Sequence, residues 1–290
     1  MKKELTYAQQ YYQNLKAKRA AAQQAEQAPV DLTRVRRLSD LMVSSDLMRI
    51  YRTGTDVDKM FSHEGGIPVG TNVMCTGDPG VGKTTLLMHT LSNLQRVNPE
   101  AKCLFISAEM SKLQVFKYTK RFPEFANLET LFTSDFLSCN SKQVFEEAIG
   151  KGYDYVLIDS IVEVLDAVKE DAAMSQGQAE KWLIDLCVKN NEAGNQSKRH
   201  TTFLLIQQVT KNGVFVGSNK LKHITDAHME MKRESDRDGG GTYITFSKNR
   251  NGAAGIRYNY RLSANSIAYD LVTAEPGSNG GFELGEGSAL

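Results

Sequence analysis

The chain has 290 residues, 41% of them hydrophobic and 24% charged, with a formal net charge of +1. That balance suits one large globular domain with appendages and excludes a polycation, so any nucleic-acid contact must come from a local patch. No run approaches the ~20 apolar residues that cross a membrane, and the basic N-terminus lacks the apolar stretch of a secretory signal. Cys75, Cys103, Cys139 and Cys187 form no C-x-x-C pair, so neither zinc nor a disulfide framework is expected, and the usage suits a reducing cytoplasm.

Residues 1–48 read as a basic helical arm and linker. Eight Lys/Arg and three acids lie between Met1 and Arg37, and Leu5, Ala8, Tyr12 and Leu15 fall at helical spacing before Pro29. A solvated arm is the simpler reading; contact with DNA or with a neighbouring subunit is the alternative. A core spans 49–273, and within it Gly65, Gly66 and Pro68 mark a loop before the strand–helix alternation that begins at Thr71. NVMCT (72–76) predicts a strand, TTLLMHTLSNLQ (84–95) a helix, AKCLFISA (101–108) a strand and MSKLQVFKYTKRF (110–122) a helix. DYVLID (154–159) and TTFLLIQ (201–207) read as strands on either side of a helix over 177–190, with Trp182, Leu183, Leu186 and Val188 on or near its apolar side. Apolar strands separated by helices imply an α/β fold: a mainly parallel central sheet with helices on both faces. After residue 225 four short strands follow, predicted as antiparallel, and the Gly-rich 274–290 reads as a disordered tail.

GDPGVGKT fits G-x-x-x-x-G-K-[ST] between a strand and a helix. Gly77, Asp78, Pro79, Gly80, Val81, Gly82, Lys83, Thr84 and Thr85 would bind the phosphates of ATP through backbone N–H groups at a helix N-terminus. Lys83 would reach the β- and γ-phosphates, and the Thr84 hydroxyl would ligate Mg²⁺. In YDYVLIDS, Asp159 closes a buried strand and would hold the same Mg²⁺ through water. Glu109, just past the second strand, either polarises the attacking water or is an exposed helix N-cap acid. Lys248 and Arg250 are two apart on a strand, so both can address one anion, or both sit at a solvated strand end.

RTGTDVDKM (52–60) followed by GGIPVGTNVMCTGDPGVGKTTLL (65–87) resembles the opening of the ATPase core in the bacterial RadA (Sms) family. IDSIVEV (158–164), MSQGQAEKWL (174–183), the segment 209–231 and KNRNG (248–252) are similar to its later motifs in the same order. FISAEMS (105–111) and K-x-R-N-G also resemble DnaB-type replicative helicases. The resemblance covers roughly 50–272; the family's four-cysteine zinc module and Lon-like domain have no counterpart in it. It implies a RecA-like P-loop core, with Glu109 as catalytic glutamate, Gln208 as a polar sensor, and Lys248 and Arg250 reaching the next subunit's nucleotide site. It also implies a ring, commonly a hexamer, acting on single-stranded or forked DNA as translocase, helicase or recombination mediator. Loops at about 165–176 and 211–222 would then line the channel, with Lys169, Lys211, Lys220 and Lys222 as phosphate contacts. A strand-exchange filament and a KaiC-like regulatory ATPase with a protein partner are the alternatives.

Overall fold

Uninterrupted apolar runs become the middle of one nine-stranded sheet. The computed structural model describes residues 16, 35–208, 221, 225–234 and 240–270. Contacts divide the chain into two compact units, Met1–Val43 and Ser44–Leu290. Of the first, the described part holds a 3-10 turn, Leu38–Asp40, and exposed Val35, Leu38, Leu41 and Met42.

The second unit opens with β1 (Ile50–Tyr51), α1 (Val57–Phe61) and β2 (Ile67–Pro68); β1 and β2 pair antiparallel by themselves. Then come β3 (Asn72–Gly77), α2 (Lys83–Val97), β4 (Cys103–Ser107), α3 (Lys112–Arg121), β5 (Glu129–Phe132), α4 (Ser141–Gly150) and β6 (Tyr155–Asp159). After α5 (Ile161–Ala172) and α6 (Gln176–Asn191) the described residues hold five further strands: β7 (Thr202–Ile206), β8 (Ala227–Arg233), β9 (Thr242–Asn249), β10 (Arg257–Leu262) and β11 (Ile267–Asp270). The sheet order is β11-β10-β9-β8-β3-β7-β6-β4-β5. From β8 to β5 every pairing is parallel; β9, β10 and β11 are antiparallel additions.

Successive strand residues point to opposite faces. Val73, Cys75, Phe105, Leu157 and Leu204 therefore pack with Leu86, Leu87, Leu91 and Leu94 of α2. Met74, Leu104, Ile106, Val156, Phe203 and Leu205 pack against α4, α5 and α6 through Phe145, Ile149, Val164 and Leu183. Both faces are dry, which is why β3, β4, β6 and β7 carry no polar alternation. Cys75, Cys103 and Cys187 are buried in these layers, and burial pushes the Cys75 thiol up to about 12; Cys139 is exposed.

Three expectations change. First, β8 is antiparallel only to β9; on its other side it runs parallel to β3, with Val73 opposite Ala227 and Gly77 opposite Met231. Its burial alternates, Ala227, Met229 and Met231 being buried while His228, Glu230 and Lys232 are only half-buried, so by pattern it resembles the strands after it. Second, the loop expected at about 165–176 is mostly helix. Ile161, Val164, Leu165 and Val168 form a buried stripe at helical spacing that carries α5 to Ala172. A short turn follows, and a capping box between Ser175 and Gln178 starts α6. Third, Val188 lies on the exposed side of α6. The strand β5 and helix α4 were not anticipated from sequence.

Candidate nucleotide-binding site

The loop between β3 and α2 is braced from strands far along the chain. Gly77 has φ +153°, and a Cβ there would sit 2.1 Å from the Met231 carbonyl oxygen, so only glycine lets β8 come this close. The Asp78 amide donates to that same carbonyl (3.2 Å), and the Arg233 amide donates to the Asp78 carboxylate (3.1 Å). The Tyr260 hydroxyl of β10 donates to the Val81 carbonyl (2.6 Å). Gly82, at φ +93°, begins α2, and the free amides of the helix's first turn face the loop.

Within this frame the Lys83 ammonium donates to the carbonyls of Gly77 (2.9 Å) and Asp78 (3.0 Å). The Thr84 hydroxyl donates to Asp159 Oδ2 at 2.5 Å, joining the start of α2 to the end of β6. Asp159 is 3% exposed. Burial, with the Glu109 charge beside it, pushes its carboxyl up to about 6, against the opposing pull of Thr84 and Lys83. The amides of Ala108 and Glu109 donate to the Asp159 carbonyl (2.8 and 3.2 Å), which sets the end of β4 beside the end of β6. Glu109 is exposed, and its Oε2 accepts from Gln208 Nε2 at 3.1 Å. It is not a helix N-cap: that place belongs to Ser111, whose capping box with Gln114 opens α3.

One cleft of about 530 Å³ thus gathers Gly77, Pro79, Gly80, Gly82, Lys83, Thr84, Thr85, Glu109, Asp159 and Gln208. A hydroxyl and a carboxylate converging at the mouth of a phosphate loop are a hard oxygen set. They suit Mg²⁺, which takes one or two carboxylates and completes its shell with phosphate oxygens and water. Among the described residues no group of three or more His, Cys, Asp or Glu could hold a metal ion.

Lys248 and Arg250 are not brought to this cleft. Arg250 donates its amide to Asp226, which itself bonds Asn72, so the pair lies at the opposite end of the sheet. The six residues from Asn72 to Gly77 span about 16 Å at normal strand rise. Lys248 Nζ donates to the Thr225 carbonyl (2.5 Å), and the exposed Arg250 pairs with Asp226 at 3.3 Å. Burial, then Arg250, lower the Lys248 pKa. Lys169 sits in the last turn of α5, paired with Asp166 at 2.9 Å, not on a loop. Lys211, Lys220 and Lys222 lie outside the described residues. Sequence reading missed Tyr118, Arg121 and Leu262, which line the cleft beyond the loop. Arg121 bonds Ala264, 143 residues away, and no local pattern announces such a contact.

The raised Asp159 carboxyl makes a stability prediction. Its folded value of about 6 exceeds the ordinary 3.8, so the folded state holds the proton more tightly than the unfolded one. This group's contribution to stability therefore falls as pH rises from about 4 to about 6 and is level above that. Asp159→Asn removes the fall. The unliganded variant is expected to gain on the order of 2 kcal/mol over the parent at pH 7.5 and to lose the gain near pH 4. Paired thermal melts in chelator at both pH values measure this; parallel curves would refute it. The same variant should lose Mg²⁺-dependent turnover.

A family model described as "ATPase: KaiC" matches residues 51–214. The DNA repair protein RadA of Campylobacter jejuni is 31% identical over 174 residues, 60% of this chain and 36% of that protein. The RadA proteins of Rickettsia typhi (27% over 234 residues, 77% and 47%) and Pseudomonas aeruginosa (28% over 216 residues, 73% and 43%) match similarly. The chain thus spans less than half the length of these relatives. A solved KaiC-like protein from Pyrococcus horikoshii has the same fold, with TM-score 0.57 and 18% identity over 77% of this chain and 99% of that one. Phosphate loop, buried Asp159 and mainly parallel sheet agree with the family match over more than half of the sequence, and the chain belongs to the KaiC-type ATPases of the RecA superfamily.

Proposed function

We propose that this ATPase is a DNA-stimulated motor of the RadA kind, working as a homo-oligomeric ring, most simply a hexamer, on single-stranded or forked DNA in the cytoplasm. The observation that carries the reading is the separation of Lys248 and Arg250 from their own phosphate loop by the depth of the sheet. Two cations there can stabilise phosphoryl transfer only in a neighbour's cleft. A ring of such interfaces couples each site to the next, which is what translocation requires. The RadA relatives carry DNA repair in their name, and the KNRNG segment also resembles DnaB-type helicases. The core is taken as 49–273, with 1–48 an arm and 274–290 a tail.

In this reading Lys83 and the loop amides orient the triphosphate. Thr84 and Asp159 would hold Mg²⁺, which would supply charge neutralisation at the phosphates. Glu109 takes a proton from the attacking water, and Gln208 ties that carboxylate to the end of β7. Arg250 of the neighbouring subunit offsets charge on the transferred group. Lys169, Lys211, Lys220 and Lys222 remain the proposed phosphate contacts for DNA.

The steady-state ATPase rate, with and without single-stranded DNA at two salt concentrations, tests the proposal. Stimulation of about 10-fold or more that fades as salt rises is expected, because released counterions drive backbone binding. Flat turnover at both salts would sink the DNA motor and favour a KaiC-like ATPase with a protein partner.

A further inference from the structure

A bulge interrupts the pairing of β8 with β9. His228 stands opposite Lys248 and Met229 opposite Phe246, so Ser247 between them has no opposite residue. On its other side His228 stands opposite Met74 of β3. The imidazole bonds both neighbouring strands. Its Nδ1 meets the Ser247 hydroxyl at 3.0 Å, and its Nε2 meets the Thr76 hydroxyl at 3.0 Å. A hydroxyl donates or accepts, so both contacts form with either tautomer of the ring. The His228 side chain is 12% exposed and Thr76 5%, so losing the ring would strip a buried hydroxyl of this partner.

Both ends of this bridge adjoin groups that handle phosphate. Thr76 directly precedes Gly77, where β3 runs into the phosphate loop. Ser247 directly precedes Lys248, and Arg250 follows the end of β9 at Asn249. A bulge breaks the ladder, bends its strand and increases the local twist, so the direction of the chain beyond it is set by whatever holds the bulge. Here the holder is a ring that reaches across β8 to a second strand. A valine, the commoner residue in a half-buried strand, would fill the same place and bond neither hydroxyl.

We infer that His228 is a positioning residue for Lys248 and Arg250: it pins the bulge of β9 to the strand that ends in the same subunit's phosphate loop, and so aims the two cations at the neighbouring cleft. The inference rests on those cations acting across an interface. Positioning of this kind governs rate strongly, since a displacement of about 1 Å caused far from the chemistry costs up to about 10²-fold.

The test uses full-length variants. In His228→Val, kcat should fall by about 5-fold or more, and a smaller fall overturns the inference. Affinity for a fluorescent, ribose-labelled ATP should stay within about 3-fold of the parent; a larger loss would make the histidine a support of its own loop and overturn it too. Mixed assemblies then locate the defect. Lys83→Ala subunits supply the cations, and Arg250→Ala subunits supply the working cleft. Added to the first, His228→Val should cut the rate recovered on mixing by the same factor as in the uniform protein. Added to the second, it should leave recovery within about 2-fold. Equal losses from both placements would show a general structural role and overturn the inference. Ser247→Ala on top of His228→Val should cost no more than about 2-fold further, because the bond is already gone, and a larger added loss counts against the bridge. Should His228→Val fail to assemble, Ser247→Ala, which removes only an exposed hydroxyl, takes its place in the two mixtures. A loss from the cation-supplying placement alone is then expected, and no loss from either overturns the inference. Absence of recovery in the mixture without any change at 228 or 247 would remove the action across an interface, and the inference with it.

Discussion

Lys83→Ala is expected to cut ATP turnover by about 10³-fold with the fold unchanged. Removing one preorganised charge from a developing anion costs on that order. Structural damage should be small, because the ammonium bonds only two carbonyls of its own loop and takes no part in the core. The bracing of the loop by Met231, Arg233 and Tyr260 does not involve this side chain. Circular dichroism and thermal melting should therefore match the parent while phosphate release collapses. Turnover within about 10-fold of the parent would remove Lys83 from the role that its position in the loop suggests.

Arg250→Ala should reduce turnover by a comparable or larger factor, about 10³-fold or more, and leave nucleotide affinity nearly intact. The reason is geometric. The guanidinium is exposed, pairs weakly with Asp226, and lies at the far end of the sheet from its own Lys83. Surface ion pairs contribute little to stability, so its loss should not unfold the chain. A mixing experiment separates action on a neighbour from action within the chain. Lys83→Ala subunits keep Arg250, and Arg250→Ala subunits keep a complete loop. If the cations act across an interface, two inactive proteins mixed in equal amounts should recover roughly a quarter of the parental rate, with interfaces acting independently. No recovery from a mixture shown to co-assemble would remove the action of Arg250 across an interface.

Local chemistry made part of this protein legible and long-range pairing hid the rest. The loop from Gly77 to Thr85 is contiguous, so its glycines, lysine and threonine announce themselves together. Asp159 and Glu109 could be proposed because parallel strands end at one edge, and both do line the cleft. The parallel pairing of β8 with β3 was not legible, since β3 lies about 150 residues earlier and the alternating burial of β8 looks like that of the strands that follow. The helical state of Lys169 was obscured by polar residues around a buried stripe that needed α4 and α6 to make it worthwhile. Tyr118, Arg121 and Leu262 converge only when α3 and β10 are packed, so no motif could name them.

The brace between Tyr260 and Val81 joins residues 179 positions apart. On a ribosome, the phosphate loop emerges early and its supports emerge last. Until β8 and β10 have left the exit tunnel, the nascent chain carries the residues of a triphosphate site without the scaffold that shapes it. Such non-local contacts form slowly and late. Stalled or truncated chains ending before β10 would therefore carry the loop without the Tyr260 hydroxyl that holds the Val81 carbonyl.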